Sequence, residues 1–340
     1  MEQLSPDLFR PIGPDAAQGE MMARPSITYG QDAWRRLKEN KLAMTGLILM
    51  GILLVFALTG PWFTPFSYSD QLLALKNKPP GYHFYVKLQR DGTGTSHVVD
   101  YSPQPIAPER GFQVEARTYW FGSDALGRDL FTRNWYGARI SLTIGIVTAL
   151  LVFLIGTVYG GISGLAGGWV DEIMMRIVEI LSAVPFLLYV ILLMVLMEPG
   201  LKTIFIALGA VYWPPMARLV RGQILALKEQ EYVTAARALG AGNWRILCRH
   251  LIPNTLGPIV VYATLSVPDA IFTEAWLSFL GLGVSAPIAS WGALANEGIQ
   301  GMRSYPWQLF FPATFISVTM LAFNVFGDGL RDALDPRLRK

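Results

Sequence analysis

The sequence predicts an all-α integral membrane protein that crosses the bilayer about six times. Three observations predict it. Of 340 residues, 52% are hydrophobic and only 16% are charged, against about 25% charged in an ordinary soluble chain. The deficit is concentrated in long uncharged runs, six of which approach the ~20 apolar residues needed to cross ~30 Å of hydrocarbon. Arg and Lys collect in alternate connections between those runs, which marks the cytoplasmic side.

The elements follow in order. Residues 1–41 hold no apolar stretch resembling a signal peptide and read as a cytoplasmic N-terminal tail. The first span, 42–60, ends at Pro61 and lacks a small-residue cleavage site, so it reads as a retained helix. Residues 61–139 form an extracytoplasmic loop, in which 76–118 are rich in Pro, Gly, Tyr and alternating polar residues. That composition predicts a small β-containing or irregular insertion, serving either as a docking surface or as a tolerated insertion. A five-helix core, 140–326, follows, with spans near 140–159, 177–197, 203–217, 254–272 and 309–326. Pro214 and Pro215 stand at the end of the fourth. Residues 327–340 form a cytoplasmic tail.

Orientation follows from the basic residues of the short connections. Arg35, Arg36, Lys38 and Lys41 precede the first span. Arg218, Arg221, Lys228, Arg237, Arg245 and Arg249 lie between the fourth and fifth, and Arg331, Arg337, Arg339 and Lys340 follow the sixth. The opposite short connections hold Lys202 and Arg303. Both termini and the 218–253 connection are therefore expected in the cytoplasm.

Composition also excludes chemistry. One cysteine, Cys248, allows no intrachain disulfide or cysteine-based zinc site, and only His83, His97 and His250 are available for acid–base or metal work. The net charge of +3 points to no nucleic acid, because the basic excess flanks the apolar runs. Gly161-Ile162-Ser163-Gly164 matches the Gly-x-Ser-Gly of intramembrane serine proteases, yet no histidine lies within a span to activate Ser163. Small residues for close helix packing explain the run better. No G-x-x-x-x-G-K-[ST] phosphate loop occurs, so ATP hydrolysis is not expected of this chain.

Acidic residues stand out in the apolar runs. An aspartate in a membrane helix costs ~2.5–3.5 kcal/mol on insertion scales and so faces a cavity or a partner. Glu179 reads as an inner-interface residue. Asp269 and Glu274 read either as outer-mouth residues or as lining a pathway. Trp62, Trp276, Trp291 and Trp307 fall near predicted outer boundaries and read as an interfacial belt.

The most informative segment is 230–254, QEYVTAARALGAGNWRILCRHLIPN. Tyr232, Ala235, Ala236 and Leu239 form an i, i+3, i+4, i+7 stripe on a helix too short to persist alone. Gly240 is a C-terminal stop, and Asn243 is expected to cap a second helix starting near Trp244. Either the helix docks a partner, or it lies on this chain's own surface.

This segment resembles the cytoplasmic loop of ABC importer permeases, written Glu-Ala-Ala, three residues, Gly, nine residues, Ile, one residue, Leu-Pro. Ala235, Ala236, Gly240 and Pro253 match; Thr234, His250 and Ile252 stand at the Glu, Ile and Leu positions. AARALGA followed by RHLIPN is similar to the variant in the peptide and nickel importer branch. AWRRLKENKLAMTGL (33–47), FGSDALGRDLFTRNWYGARISL (121–142), GGWVDEIMMRIVEILSAVPFLL (167–188) and FGDGLRDALDPRLR (326–339) are similar to that branch as well.

The resemblance implies a type I ABC importer permease fold and a permease subunit for peptides in the cell membrane. It implies a second homologous permease, two ATP-binding subunits that carry ATP and Mg, and an extracytoplasmic solute-binding protein. No cofactor is expected in this chain itself. The coupling residues would be Glu231, Tyr232, Thr234, Ala235, Ala236, Arg237, Leu239, Gly240 and Ala241. Ser290-Trp291-Gly292 also resembles the family and would help shape the external mouth. The rival reading is a secondary carrier coupling ions through Asp269 and Glu274; no inverted pair of interrupted helices supports it.

Overall fold

The computed structural model describes residues 28–90, 96–107, 109–198, 200–284 and 287–335. The expected tail up to residue 27, and Arg337, Arg339 and Lys340 near the C-terminus, lie outside them.

Helix α1 (Tyr29–Glu39) starts in a capping box: Thr28 accepts from Gln31 N, and the Gln31 side chain accepts from Thr28 N. Asn40 alone separates it from α2 (Lys41–Thr59), which it caps through Ala43 N. After α2 come three antiparallel strands, β1 (Tyr82–Arg90), β2 (Ser96–Ser102) and β3 (Phe112–Tyr119), ordered β2-β1-β3. Leu75, Phe84, Val86 and Tyr119 make their small core. Phe84 and Val86, two residues apart, share one face of β1.

The second span begins earlier than its apolar run. Helix α3 (Leu130–Ala166) has 37 residues and is capped by Asp129. Its first ten residues read as loop because they include Arg133 and Arg139. Both are accommodated in helix: Arg139 donates to the Ala57 and Leu58 carbonyls that end α2, at 2.5 and 2.7 Å.

The third run does not form one straight helix. It breaks into α4 (Gly168–Ala183) and α5 (Phe186–Leu196), bent by 82° at Val184 and Pro185. Proline lacks an N–H to donate, and its ring pushes the preceding residue out of helical dihedrals; Val184 is extended. The fourth span is longer than its sequence suggests. Helices α6 (Leu201–Val211) and α7 (Pro214–Leu227) form one 27-residue candidate span. Pro214 and Pro215 open α7, where a missing N–H loses no helical bond, so Arg218 and Arg221 are helical rather than in a connecting loop.

Then follow α8 (Glu231–Ala238), α9 (Asn243–Ile246), a π-helical turn (Leu247–Leu251), α10 (Ile252–Phe279), α11 (Trp291–Gln300) and α12 (Trp307–Leu334). Packing sets the course of the chain. Along α3, Gly156, Gly160 and Gly164 meet Met216, Ala217 and Ile224 of α7 in the same order, so the two helices run parallel. The bent α4–α5 pair returns the chain between them, with Val178 against Trp213 and Ala217, and Val190 against Ala207 and Leu277. Helix α12 runs back beside α2, bringing Gly329 to Ala43. The two described chain ends and α8 therefore lie at one end of the bundle, and the sheet lies at the other.

The Gly161-Ile162-Ser163-Gly164 run belongs to this helix crossing. Gly160 faces the Ala217 carbonyl, and a Cβ on Gly164 would lie 2.9 Å from Ile224 Cβ. Close approach of backbones is what small residues contribute to membrane helix pairs. Gly160→Leu is expected to force α3 and α7 apart, at a cost of about 1–3 kcal/mol or more. A lowered thermal midpoint of the purified chain in mild detergent would register it; an unchanged midpoint would contradict the packing.

Candidate functional site

Helix α8 is short because its sequence stops it. Gln230, the residue before it, makes no side-chain cap. At the other end Gly240 takes φ +83°. Gly240 N donates to Arg237 O and Ala241 N to Ala236 O, the paired bonds of a Schellman motif, which favours glycine at that left-handed position. The turn into α9 differs from expectation: Gly242, not Asn243, is the cap residue, and no side chain caps α9.

One residue anchors α8 fully. Val233 is buried among Ile224, Ile246, Leu247, Leu251 and Ile259. The predicted stripe turns mostly the other way. Tyr232 is 41% and Leu239 89% exposed; Ala235 is exposed with them and Ala236 is half-buried. Glu231, Thr234, Arg237 and Gly240 are exposed and Ala241 is half-buried. Trp244 on α9 extends the bare apolar surface at 65% exposure. Sequence periodicity found the stripe and missed Val233, because one buried contact makes no period.

Near this surface a half-buried ionic contact joins three helices. Arg221 of α7 donates to both Asp171 oxygens of α4 at 2.6 Å, and the Ser163 hydroxyl of α3 donates to the same carboxylate. A two-pronged guanidinium–carboxylate pair fixes orientation as well as distance. Lys228 reaches the Gly164 carbonyl at 3.2 Å. Ser163 is thus a structural donor. Arg221 was legible only as a flanking charge, since its partner lies 50 residues earlier.

The acidic residues of the apolar runs separate. Glu274 is fully buried. Its Oε1 accepts from Ser278 at 2.7 Å and from Ser290 at 2.6 Å, and Ser290 also caps α11 by accepting from Ala293 N. Trp291 is buried too, which removes it from an interfacial belt: its backbone N–H donates to Ser141 and its indole to the Asn134 carbonyl, both at 3.1 Å. Asp269, five residues before Glu274, is exposed. Glu179 is exposed and paired with Arg176 at 2.7 Å.

The start of α3 carries a cluster that sequence reasoning missed. Arg133, 1% exposed, bonds Asp124 at 2.6 Å and Glu297 of α11 at 2.5 Å. Arg128 joins the same two carboxylates. This cluster ties the segment after the sheet to α11. The signal was present as the two arginines of GRDLFTR, but Glu297 lies 164 residues from Arg133. Beside it, burial pushes the Asp129 carboxyl up to about 6, against hydrogen bonds from Thr132 that favour the ionised form.

Comparison with known proteins is consistent across the chain. Residues 156–340 match the family described as binding-protein-dependent transport system inner membrane component. Residues 28–80 match the N-terminal TM domain of oligopeptide transport permease C. The dipeptide transport system permease protein DppC of Bacillus subtilis is 51% identical over 324 residues, 95% of this chain and 90% of that relative. The oligopeptide transport system permease protein OppC of the same organism is 47% identical over 340 residues, the full length of both. OppC of Escherichia coli is 42% identical over 91% of each chain.

Two outcomes are expected here. Glu274→Ala leaves buried serine hydroxyls without their acceptor and opens a cavity, costing about 2–4 kcal/mol, whereas Glu274→Gln keeps an acceptor oxygen and costs less. Thermal midpoints of both variants in detergent check the order. For Asp129, a raised folded pKa means that its contribution to stability is full below 3.8 and is lost as pH rises through about 6. Asp129→Asn, which still caps α3, should remove about 1 kcal/mol of that dependence between pH 5 and pH 7.5, the part of the window above pH 5; melting curves at those two pH values would reveal an unaltered slope if the burial were immaterial.

Proposed function

This chain belongs to the family of binding-protein-dependent transport system inner membrane components, and on that premise we propose that it forms half of the translocation pathway of an ATP-driven importer of peptides. A second, homologous permease supplies the other half. Two ATP-binding subunits, holding ATP and Mg, drive it from the cytoplasm, and an external solute-binding protein delivers the cargo. The relatives named for dipeptide and oligopeptide transport support the peptide reading.

The observation that carries the proposal is α8. A two-turn helix, anchored by Val233 and ended at Gly240, leaves Tyr232 and Leu239 bare. Such a helix gains order by seating its apolar face in a groove of another protein. Glu231, Tyr232, Thr234, Ala235, Ala236, Arg237, Leu239, Gly240 and Ala241 are the coupling residues in this reading. The basic residues around it, Lys228, Arg237, Arg245 and Arg249, support a cytoplasmic location for its end of the bundle. The termini then face the cytoplasm and the sheet faces outward.

The mechanism follows from how α8 is attached. ATP binds the closed pair of ATPase subunits better than the open pair, and that difference biases the assembly. Movement of the ATPase surface pushes α8. Val233 passes the displacement to Ile224 of α7 and to Ile246, Leu247 and Ile259 on the approach to and start of α10. The Asp171–Arg221 pair makes α4 move with α7. Tilting of those helices exchanges inward-open and outward-open states.

Gly240→Pro is the decisive variant. Proline cannot adopt φ +83° and cannot donate to Arg237 O. Transport should be abolished while membrane insertion persists. Purification in mild detergent should recover a second permease and ATPase chains with the wild type, and deletion of 231–240 should remove its ATPase activity. Normal peptide uptake by Gly240→Pro would sink the coupling assignment.

A further inference from the structure

Asp269 presents a charge problem that the coupling reading leaves unsolved. It lies on α10, ten residues before the helix ends at Phe279, or about 15 Å at 1.5 Å per residue. That places it within a candidate membrane span. Two buried carboxylates of the helical core are compensated inside the chain: Asp171 by Arg221, Glu274 by serine hydroxyls. Asp269 is exposed, and among the described residues no donor or basic group pairs with it. Its side chain is too short to reach an interface that far away, and facing lipid is costly. Its exposed side must therefore meet water, a cation or a partner chain.

Its surroundings suit a cation that comes and goes. Tyr262, seven residues earlier on the same face of α10, lies within electrostatic reach of Asp269, as does Tyr212 at the end of α6. The Tyr212 hydroxyl is held by Thr273, one turn beyond Asp269. Tyr262 and Leu265 continue that face into a groove of about 410 Å³, lined also by Leu219, Pro258 and Arg331. A carboxylate beside aromatic rings is the chemistry that receives ammonium and guanidinium groups.

We propose that Asp269 is a charge-selecting residue of the solute pathway, which receives cationic amino or guanidinium groups of the moving solute beside Tyr212 and Tyr262. The assignment rests on the peptide-import reading. It adds that the membrane pathway itself discriminates by charge, in addition to any selection made before the solute reaches it.

The test uses the complete importer in proteoliposomes with saturating solute-binding protein, so that maximal rates exclude delivery. Uptake of Ala-Lys-Ala and Ala-Glu-Ala is compared. The wild type should favour the lysine peptide. Asp269→Asn should lower the lysine-to-glutamate rate ratio by about fivefold or more, Asp269→Glu should retain it, and Asp269→Lys should invert it. Tyr262→Leu should lower the ratio less than Asp269→Asn does. An unchanged ratio, even with both rates reduced, would show that Asp269 meets a protein partner rather than the solute and would overturn the proposal. Wild-type importer that carries neither peptide would remove the peptide reading, and this assignment with it.

Discussion

Charge inside an apolar bundle must be matched, and the layout of this protein follows from how each charge is matched. The Asp171–Arg221 pair joins α4 to α7 and draws in Ser163 from α3. Arg128 and Arg133 gather Asp124 and Glu297, fastening the segment after the sheet to α11. Glu274 collects serine hydroxyls and so holds the start of α11 against α10. A buried pair adds little net stability over an apolar equivalent, but removing one partner is severely destabilising. These contacts thus specify which helices are held to one another more than they add to stability.

That division bears on mechanism. At the α8 end, Val233 rests in the cluster formed by α7, α9, the π turn and α10, so under the coupling proposal a push on α8 would be shared among helices instead of bending one. At the sheet end, α11 is held at its first residue by Ser141 and Asn134 and nearer its last by Arg133. A helix held at two points is a rigid part of its body. Between the two ends, proline breaks α4 from α5 and opens α7, where rotation is least resisted by backbone hydrogen bonds.

The exposed surfaces divide by chemistry. Long apolar faces on α2, α5 and α10 suit lipid or another membrane chain. Tyr232, Leu239 and Trp244 are different: they are bare apolar side chains among basic residues at a bundle end, where lipid tails do not reach. Asp269 is different again, a lone carboxylate on an otherwise apolar helix face. Each departs from what its surroundings in this chain would select.

The sequence by itself determined the membrane class, the apolar runs and the α8–Gly240 signature, because hydropathy, charge bias and glycine geometry are local properties; it left the 76–118 insertion open between β-containing and irregular, and the structure shows a three-stranded sheet there. It did not reveal that the third run is bent by 82° or that Pro214 and Pro215 begin a helix. Proline ends one helix and starts another with the same covalent chemistry, and only packing chooses between them. It read Arg133, Arg139 and Arg221 as loop charges, because each has a compensating group that lies 50 to 164 residues away. Glu274 and Asp269 were indistinguishable as two acids in one apolar run. Tertiary structure alone decided that five residues along α10, half a helical turn out of phase, place one carboxylate among serines and leave the other facing outward.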